Sequence, residues 1–274
     1  MTTTLRPAEP LQRDADGTRS RRYQVCVNSR PVGAVHLGTH PVLGDEVARI
    51  RDLRIAEPDR RRGRGTVAAL AAEEVVRGWG CRRIEAAVPA GAAPALTLAT
   101  ALGYVPVSRL MEKPVGGTPP ALPAESRSRP MTEAEFADWS RHRQDAYARE
   151  RAARGEPEAE AGALVRRGHP AVLPDGAGTA GTTLSVLEHE GTAVGTLWLG
   201  EHEGRAFVHD VETDERHRGR GHGRTLMRLA EAQAHAAGHP TIRLNVRADN
   251  VPAERLYASL GYRTLVHHLY KELV

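Results

Sequence analysis

The sequence predicts an α/β protein in which one unit, a mixed sheet with flanking helices, occurs twice in tandem. Three features lead to this prediction. A glycine loop lies between an extended segment and a helix-forming segment, the same arrangement occurs earlier in the chain, and a stretch rich in Pro, Gly and Ser separates the two copies. The expected domains are an N-terminal copy at 1–115, a linker at 116–128 and a C-terminal copy at 129–274.

The glycine loop of the C-terminal copy is RGRGHG, residues 218–223. The residues before it (206–213) favour a strand, and those after it (224–237) favour a helix that ends at Gly238. Glycines let a ligand approach the backbone closely, and a helix start offers unpaired N–H groups with partial positive charge. The loop therefore favours phosphate binding, although a sharp turn into a helix needs the same glycines. Its spacing differs from that of P-loops and dinucleotide-binding folds.

The N-terminal copy carries the matching loop RRRGRG at residues 60–65, an offset of 218 − 60 = 158 residues. Thr132 and Glu135 have the spacing of a capping box, which indicates a helix start in the C-terminal copy. The elements expected in the N-terminal copy are strands near 22–27, 32–37, 48–55, 82–88 and 104–112, and helices near 65–78 and 94–102. Those expected in the C-terminal copy are strands near 184–189, 193–199, 206–213 and 242–246, and helices near 132–154, 158–167 and 224–237.

A second pattern follows the glycine loop in the C-terminal copy. The strand at 242–246 precedes NVPAERLYASLGY, residues 250–262, which includes Asn250 and Tyr257 and has the spacing N-x-x-A-x-x-L-Y-x-x-x-G-[F/Y]. Together with [Q/R]-x-x-G-x-[G/A] in the loop, this pattern resembles the GNAT superfamily of acetyl-CoA-dependent N-acetyltransferases. The resemblance covers about residues 184–272, with both signatures complete and in the family's order.

The resemblance implies where acetyl-CoA binds. The loop backbone would hold the pyrophosphate, with at least one loop arginine touching a phosphate, and the preceding strand would pair with the pantetheine arm. Asn250 would bond CoA or brace the strand, besides capping a helix. The expected cofactor-binding residues are Val211, Glu212, Thr213, Arg218, Gly219, Arg220, Gly221, His222, Gly223, Arg224, Asn250 and Tyr257.

The resemblance also implies the catalytic groups. Tyr257 is the expected general acid for the leaving thiolate, because a tyrosine with an ordinary pKa of about 10 keeps its proton at neutral pH. His209, Glu212 or a water chain remains open as the base that takes the amine proton, and the N-terminal copy has Arg51 in place of His209. Side-chain alternation would place His209 and Glu212 on opposite faces of the strand. Each residue also has a structural alternative, namely a core tyrosine, a buried histidine or a surface ion pair. No metal is expected.

The N-terminal copy lacks parts of this pattern. Ala92 and Ala99 stand where the C-terminal copy has Asn250 and Tyr257. A short polar segment replaces the two helices that wall the acceptor site in the GNAT fold. The N-terminal copy is therefore expected to be truncated and degenerate, and the working site is expected in the C-terminal copy. The tandem plan resembles mycothiol synthase-like proteins, but the truncation departs from them, so their substrate is not carried over.

Composition limits the class of protein. The 274 residues are 40% hydrophobic but only 4% aromatic, which indicates globular cores built mainly on Ala, Val and Leu. No run of about 18 apolar residues predicts a membrane span, and residues 1–22 are expected to form a partly disordered polar leader. Cys26 and Cys81 have no metal-ligand or redox spacing, so they are expected to be buried reduced thiols of a cytoplasmic protein.

The expected partner is an amine: an amino sugar, an antibiotic, an amine metabolite or a peptide N-terminus. Its site is expected from 136–160 and the last strands, near Tyr262, where glutamates such as Glu150 would suit a cationic amine. A non-catalytic acyl-CoA-binding scaffold is the alternative. Nucleic-acid binding by the arginines of 60–64 is a further alternative, which the lack of interleaved aromatic residues disfavours. The sequence leaves open whether the N-terminal copy binds CoA and whether the chain forms a homodimer.

Overall fold

The computed structural model describes residues 3–152 and 173–273 and confirms the predicted α/β class. The strands are β1 Thr3–Pro7, β2 Gln12–Arg13, β3 Arg19–Val27, β4 Arg30–His40, β5 Gly44–Ile55, β6 Arg83–Pro89, β7 Val105–Pro114, β8 Ser126–Pro130, β9 Thr183–His189, β10 Thr192–His202, β11 Arg205–Thr213, β12 Thr241–Arg247 and β13 Arg263–Glu272. The helices are α1 Arg64–Gly78, α2 Ala93–Ala101, α3 Glu133–Ala152, α4 His222–Ala236 and α5 Val251–Ser259. The predicted helix at 158–167 lies outside the described residues, as do the glutamates of the predicted acidic wall beyond residue 152.

The chain forms two compact units. Unit 1 comprises residues 1–111, 246–254 and 264–274, and unit 2 comprises residues 112–245 and 255–263. Each unit thus contains a piece of chain that belongs, by sequence, to the other copy. The domain boundaries predicted at 115 and 129 stay predictions, because the compact units follow the strands and not a single break in the chain.

Unit 1 contains a sheet with the strand order β1-β3-β4-β5-β6-β13, in which β5 and β6 run parallel and the other neighbours antiparallel. Apolar residues from the strands and from α1 form its buried core, among them Leu37, Ile84 and Val76. Cys26 and Cys81 are buried free thiols, as the sequence predicts.

Residues 3–7 form a strand, so the prediction of a partly disordered leader was wrong for this stretch. β1 pairs antiparallel with β3 over residues 3–7, and Leu5 packs against the core of unit 1. The polar composition concealed this strand because an edge strand needs only a backbone ladder and one apolar side chain on its inner face.

Unit 1 also contains β13, the last strand of the C-terminal copy, which pairs antiparallel with β6 over residues 266–272. Beside this ladder, Lys271 Nζ donates to Glu73 Oε2 at 2.7 Å, and Glu73 is only 1% exposed. The Lys271 ammonium lies 5.8 Å from the ring centroid of Tyr104. Burial, together with the Glu73 charge, raises the pKa of Tyr104. The lysine therefore neutralises a carboxylate whose burial would otherwise be costly.

Unit 2 contains a sheet with the strand order β12-β11-β10-β9-β8, in which β11 and β12 run parallel. Helix α3 begins at the predicted capping box: Glu135 N donates to Thr132 Oγ1 at 3.3 Å, and Thr132 N donates to Glu135 Oε2 at 2.9 Å. The hydrogen bond from Arg129, with those from Thr132, lowers the pKa of Glu135 to about 2. Trp139 of α3 packs in a core cluster with Trp198 of β10.

Unit 2 also contains the last residues of β7, 112–114, which come from the N-terminal copy. Lys113 Nζ donates to Glu231 Oε2 at 2.7 Å and lies 5.7 Å from the ring centroid of Tyr262. Burial, together with the Glu231 charge, raises the pKa of Tyr262. Tyr262, expected from the sequence to lie near the acceptor, is thus buried beside an ion pair.

The two lysine clusters correspond residue by residue, since 271 − 113 = 231 − 73 = 262 − 104 = 158. In each cluster one copy supplies the glutamate and the tyrosine, and the last strand of the other copy supplies the lysine. These are the only two lysines in the sequence. The terminal strands are therefore exchanged between the copies, an arrangement that sequence analysis did not predict.

Strand β8 begins at Ser126, within the last residues of the predicted linker. It pairs with β9, and Arg127 and Arg129 both bond Glu188, at 2.9 Å and 2.8 Å. The alternating Ser-Arg sequence is compatible with an edge strand whose charged side chains bind a neighbour.

Both units share an irregularity at the same place. The register of β10 with β11 shifts so that His209 has no cross-strand partner, and the register of β4 with β5 shifts in the same way at Arg51, 209 − 51 = 158 residues earlier. The parallel pairing of β11 with β12 covers residues 206–208 and stops at this bulge. Among the described residues, β11 beyond the bulge therefore has one backbone edge that β12 does not use.

Candidate active site

The glycine loop turns sharply into α4. Gly219 has φ 77° and Gly221 has φ 88°, in the left-handed region that favours glycine. Helix α4 begins at His222, so the N–H groups of its first turn, which have no acceptor within the helix, lie beside the loop. At Gly223 an added Cβ would lie 3.3 Å from Leu256 Cδ2, so the glycine allows close packing. The local geometry is that of an anion-binding turn.

The three loop arginines differ in their partners. Arg218 forms an ion pair with Glu215 at 3.1 Å, and Arg224 Nη2 donates to Ser259 Oγ at 2.7 Å. Arg220 is exposed, and no ion pair to it is found among the described residues. Arg220 is therefore the loop arginine best able to turn toward a phosphate.

His222 is buried at the first position of α4. Its ring centroid lies 4.9 Å from that of His189 and 6.3 Å from that of His217. Burial, with repulsion from the two neighbouring imidazoles, lowers the pKa of His222. The residue is therefore neutral at pH 7, and it offers the loop a backbone N–H group and no side-chain charge.

His209 lies at the bulge of β11, packed between aromatic rings. Its ring stacks on Trp198 with centroids 4.5 Å apart and lies 5.0 Å from Phe207. Burial, with repulsion from His202 and Arg143, lowers the pKa of His209 to about 4. The imidazole is therefore neutral at pH 7 and able to accept a proton, but it is a weaker base than a free histidine.

Asp210 is the charged residue that sequence analysis missed. Its carboxylate forms an ion pair with Arg143 of α3 and accepts a hydrogen bond from Trp139 Nε1 at 3.3 Å. Burial raises the pKa of Asp210 against the opposing effect of Arg143. The signal available in the sequence was the i, i+4 spacing of Trp139 and Arg143, which places both on one face of α3.

Strict alternation placed His209 and Asp210 on opposite faces of β11. The bulge changes this, because both side chains reach the cluster around Trp198: His209 stacks on it, and Asp210 is its cross-strand partner. Side-chain alternation holds only while the ladder is regular, so a sequence pattern without the bulge misassigns a face.

Glu212 lies farther along β11 and is half-exposed, with its carboxylate 3.8 Å from His142 Nε2. The backbone of β10 passes closely here, since an added Cβ on Gly195 would lie 2.4 Å from Glu212 O. Val211, Glu212 and Thr213 pair with β10 on one edge of β11, and their other edge lies beyond the end of the ladder with β12.

Tyr257 is buried on α5, with its ring centroid 6.0 Å from that of Tyr262. Burial, with the nearby charge of Asp210, raises the pKa of Tyr257 to about 12. The phenol therefore keeps its proton throughout the neutral range. Asn250 forms the helix cap that the sequence offered as one of its roles, because its Oδ1 accepts a hydrogen bond from Ala253 N at 3.2 Å.

The matching loop in unit 1 has a different charge arrangement. Gly63, with φ 72°, precedes α1 as Gly221 precedes α4. The first helical residues differ: Arg64 is buried and forms an ion pair with Asp59, which also accepts a hydrogen bond from Arg30 at 2.8 Å. Part of the arginine run considered for nucleic acid is thus engaged inside the protein.

The described residues contain no group of three or more side chains able to hold a metal ion, and none of their helices combines the length and apolar character that a membrane crossing requires.

Comparison with known proteins decides the family. The profile of the Acetyltransferase (GNAT) family matches residues 2–104 and 131–262. The chain belongs to the GNAT family. The two matched segments agree with the two copies predicted from the repeat, and membership makes the protein an acyltransferase of a family that generally uses acetyl-CoA as donor.

Solved structures show the same fold at low sequence identity. The chain resembles a GCN5-related N-acetyltransferase from Sphaerobacter thermophilus at 18% identity, covering 92% of this chain and 80% of that chain, with a TM-score of 0.58. It resembles a GNAT-family acetyltransferase from Colwellia psychrerythraea at 13% identity, with coverage of 92% and 85% and a TM-score of 0.52. It resembles a GCN5-related N-acetyltransferase from Kribbella flavida at 18% identity, with coverage of 87% and 86% and a TM-score of 0.51. No curated protein matches the sequence.

Proposed function

We propose that this GNAT protein transfers the acetyl group of acetyl-CoA directly to a primary amine, using the C-terminal copy alone. The acceptor would be a small molecule such as an amino sugar, an antibiotic or an amine metabolite, or a peptide N-terminus. The observation that carries the proposal is the combination, in one copy, of the glycine turn, the part of the β11 edge that β12 does not pair with, and the buried Tyr257.

The proposed donor site follows the chain from β11 to α4. The pantetheine arm would add to the free edge of β11 at Val211, Glu212 and Thr213 as a strand adds to a sheet edge. The pyrophosphate would lie on the backbone of residues 218–224, with Arg220 as its arginine partner. Asn250 would support this site by fixing the start of α5, besides any bond to CoA.

The proposed chemistry needs one acid and one base. Attack of the neutral amine on the thioester forms the C–N bond, breaks the C–S bond and leaves a thiolate. Tyr257 supplies the proton to the thiolate, which its raised pKa of about 12 allows at neutral pH. The amine proton passes to His209, which is neutral with its pKa of about 4, or to the half-exposed Glu212, and then to solvent.

Native mass spectrometry with acetyl-CoA tests the proposal on the wild type, Gly221→Glu and Gly63→Glu. The two glycines are a matched pair, since both have positive φ at a helix start and both have open space for a side chain. One bound acetyl-CoA, lost only with Gly221→Glu, is the expected result. A screen of primary amines, with the acetylated product detected by mass, then identifies the acceptor. The proposal fails if the wild type binds no acetyl-CoA, or if binding survives Gly221→Glu.

A further inference from the structure

Helix α3 brings one cation into an aromatic and acidic cluster of unit 2. The Arg143 guanidinium lies 5.7 Å from the ring centroid of Trp139 and 5.5 Å from that of Trp198. The same guanidinium forms the ion pair with Asp210. Indole faces attract cations, and Arg or a ligand cation can take such a place. The three groups together have the chemistry of a cation-binding site, and a residue of the protein fills it.

We propose that Trp139, Trp198 and Asp210, here called the cation subsite, bind the cationic group of the acceptor amine, and that Arg143 occupies the subsite in the free protein. The inference rests on the proposed function and narrows its acceptor to an amine that binds as a cation. Arg143 is then a specificity-determining residue, because an acceptor must displace its guanidinium from Asp210.

The subsite lies where the proposed reaction needs an amine, and an amine bound there as a cation would give one proton to His209 or Glu212 before the neutral nitrogen attacks the thioester. Asp210 follows the bulge at which the free edge of β11 begins. The Asp210 charge also contributes to the raised pKa of Tyr257, the proposed general acid. His209, the neighbouring proton acceptor, stacks on Trp198 of the subsite.

The described residues of the N-terminal copy lack the equivalent of this subsite. Its counterparts of the Trp198–Asp210 cross-strand pair are His36 and Asp52. Asp52 has a side chain 38% exposed and pairs with its neighbour Arg54 at 2.8 Å. Among the described residues, this cross-strand pair therefore combines an aromatic ring with a largely buried carboxylate only in the copy that has the complete signature with Tyr257.

The inference can be tested by removing Arg143 and asking whether an added cation binds at Asp210 in its place. Asp210 is largely buried, with 17% of its side chain exposed, so removing Arg143 leaves it without its ion-pair partner, and an external cation of the right shape regains the lost interaction. The protein has three tryptophans, of which Trp139 and Trp198 line the subsite, so tryptophan fluorescence reports occupation. Methylguanidinium copies the head of Arg143, and methylurea is its neutral isostere.

The experiment titrates both probes against the wild type, Arg143→Ala, Arg143→Met and Arg141→Ala. Arg141 is the matched control, because it lies on the same helix but is exposed and pairs with Asp138. We expect Arg143→Ala to bind methylguanidinium at least about tenfold more tightly than the wild type does, a change worth about 1.4 kcal/mol. Methylurea should show no such gain, Arg141→Ala should behave as the wild type, and Asp210→Asn added to Arg143→Ala should abolish the gain.

If Arg143→Ala is too unstable for titration, the Tm measured by thermal unfolding provides a second readout of cation binding. Methylguanidinium should then raise the Tm of Arg143→Ala, and of Arg143→Met with its retained stem, more than methylurea does. The inference is overturned if neither variant shows a cation-dependent gain in binding or Tm. The same titrations with phenethylammonium should reproduce the difference between the variants, and a gain seen with methylguanidinium but not with phenethylammonium would overturn the assignment of the subsite to an amine. Because no readout involves acetyl-CoA, failure here leaves the donor-binding result intact, and loss of acetyl-CoA binding leaves this test standing.

Discussion

Unit 1 and unit 2 have the same framework but different chemistry. Gly33 and Gly195 each let two paired strands approach closely. An added Cβ on Gly33 would lie 2.2 Å from Arg54 O, and one on Gly195 would lie 2.4 Å from Glu212 O. The bulge, the glycine turn and the buried lysine cluster also occur in both units. Tyr257 and the cation subsite occur only in unit 2. The shared features recur at equivalent positions of both copies, whereas Tyr257 and the proposed cation subsite belong to the proposed reaction alone.

The lysine clusters give the largest expected effect, because both units should depend on them for stability. Lys271→Met in unit 1 and Lys113→Met in unit 2 each leave a buried carboxylate without its cation. We expect each change to lower the free energy of unfolding by about 3–5 kcal/mol, measured by urea denaturation. Adding Glu73→Gln to Lys271→Met should recover most of the loss, and Arg13→Met at an exposed site should have little effect. A single variant as stable as the wild type would show that the lysines do not hold the exchanged strands.

Tyr257, the proposed general acid, occurs in unit 2 and has Ala99 as its counterpart in unit 1. Tyr257→Phe removes only a hydroxyl, so we expect kcat for acetyl transfer to fall about 100-fold while acetyl-CoA still binds. Tyr270→Phe, in unit 1, is the matched control and should leave kcat unchanged. Steady-state kinetics with an acceptor from the amine screen, and native mass spectrometry for binding, measure the two effects. Unchanged kcat in Tyr257→Phe would remove the main chemical difference between the copies.

The residue at the bulge differs between the units: it is His209 in unit 2 and Arg51 in unit 1. The pKa of His209 is lowered to about 4 in the folded protein from an ordinary value of about 6.5. Above pH 6.5 the imidazole is neutral in both the folded and the unfolded chain, so His209 adds no pH dependence to the free energy of unfolding there. As pH falls below 6.5, the unfolded chain takes up the proton first, and stability is lost until about pH 4. At pH 5 this protonation lowers the free energy of unfolding by about 2 kcal/mol relative to neutral pH. Urea denaturation at pH 7 and pH 5 should show that His209→Asn removes this part of the pH dependence; an unchanged slope would contradict the burial of a neutral imidazole.

Much of the fold was predictable because its signals are local. The capping box at Thr132 and Glu135, the turn at Gly219 and Gly221, and the cap at Asn250 each depend on residues a few positions apart, and the structure contains all three. The tandem repeat was also predictable, because comparing the sequence with itself is enough to detect it. The family profile matches two segments of the chain, in agreement with this repeat.

The parts of the candidate site that sequence analysis missed depend on distant contacts. Asp210 became prominent only when α3 placed Arg143 and Trp139 against it. The bulge at His209 moved a side chain that alternation had assigned to the other face. The roles assigned to Tyr257, Glu212 and the loop arginines remain proposals that the experiments above address.

The sequence by itself determined the repeated α/β unit, the glycine turn into a helix, and the absence from the N-terminal copy of the residues equivalent to Asn250 and Tyr257, because each follows from residue type and short spacing. Only the tertiary structure decided the exchange of β7 and β13, the pairing of both lysines with buried glutamates, and the meeting of Arg143 with Asp210. Those features join residues that lie tens to hundreds of positions apart, and such pairings are selected by the packing and charge balance of the whole chain, which no local pattern contains.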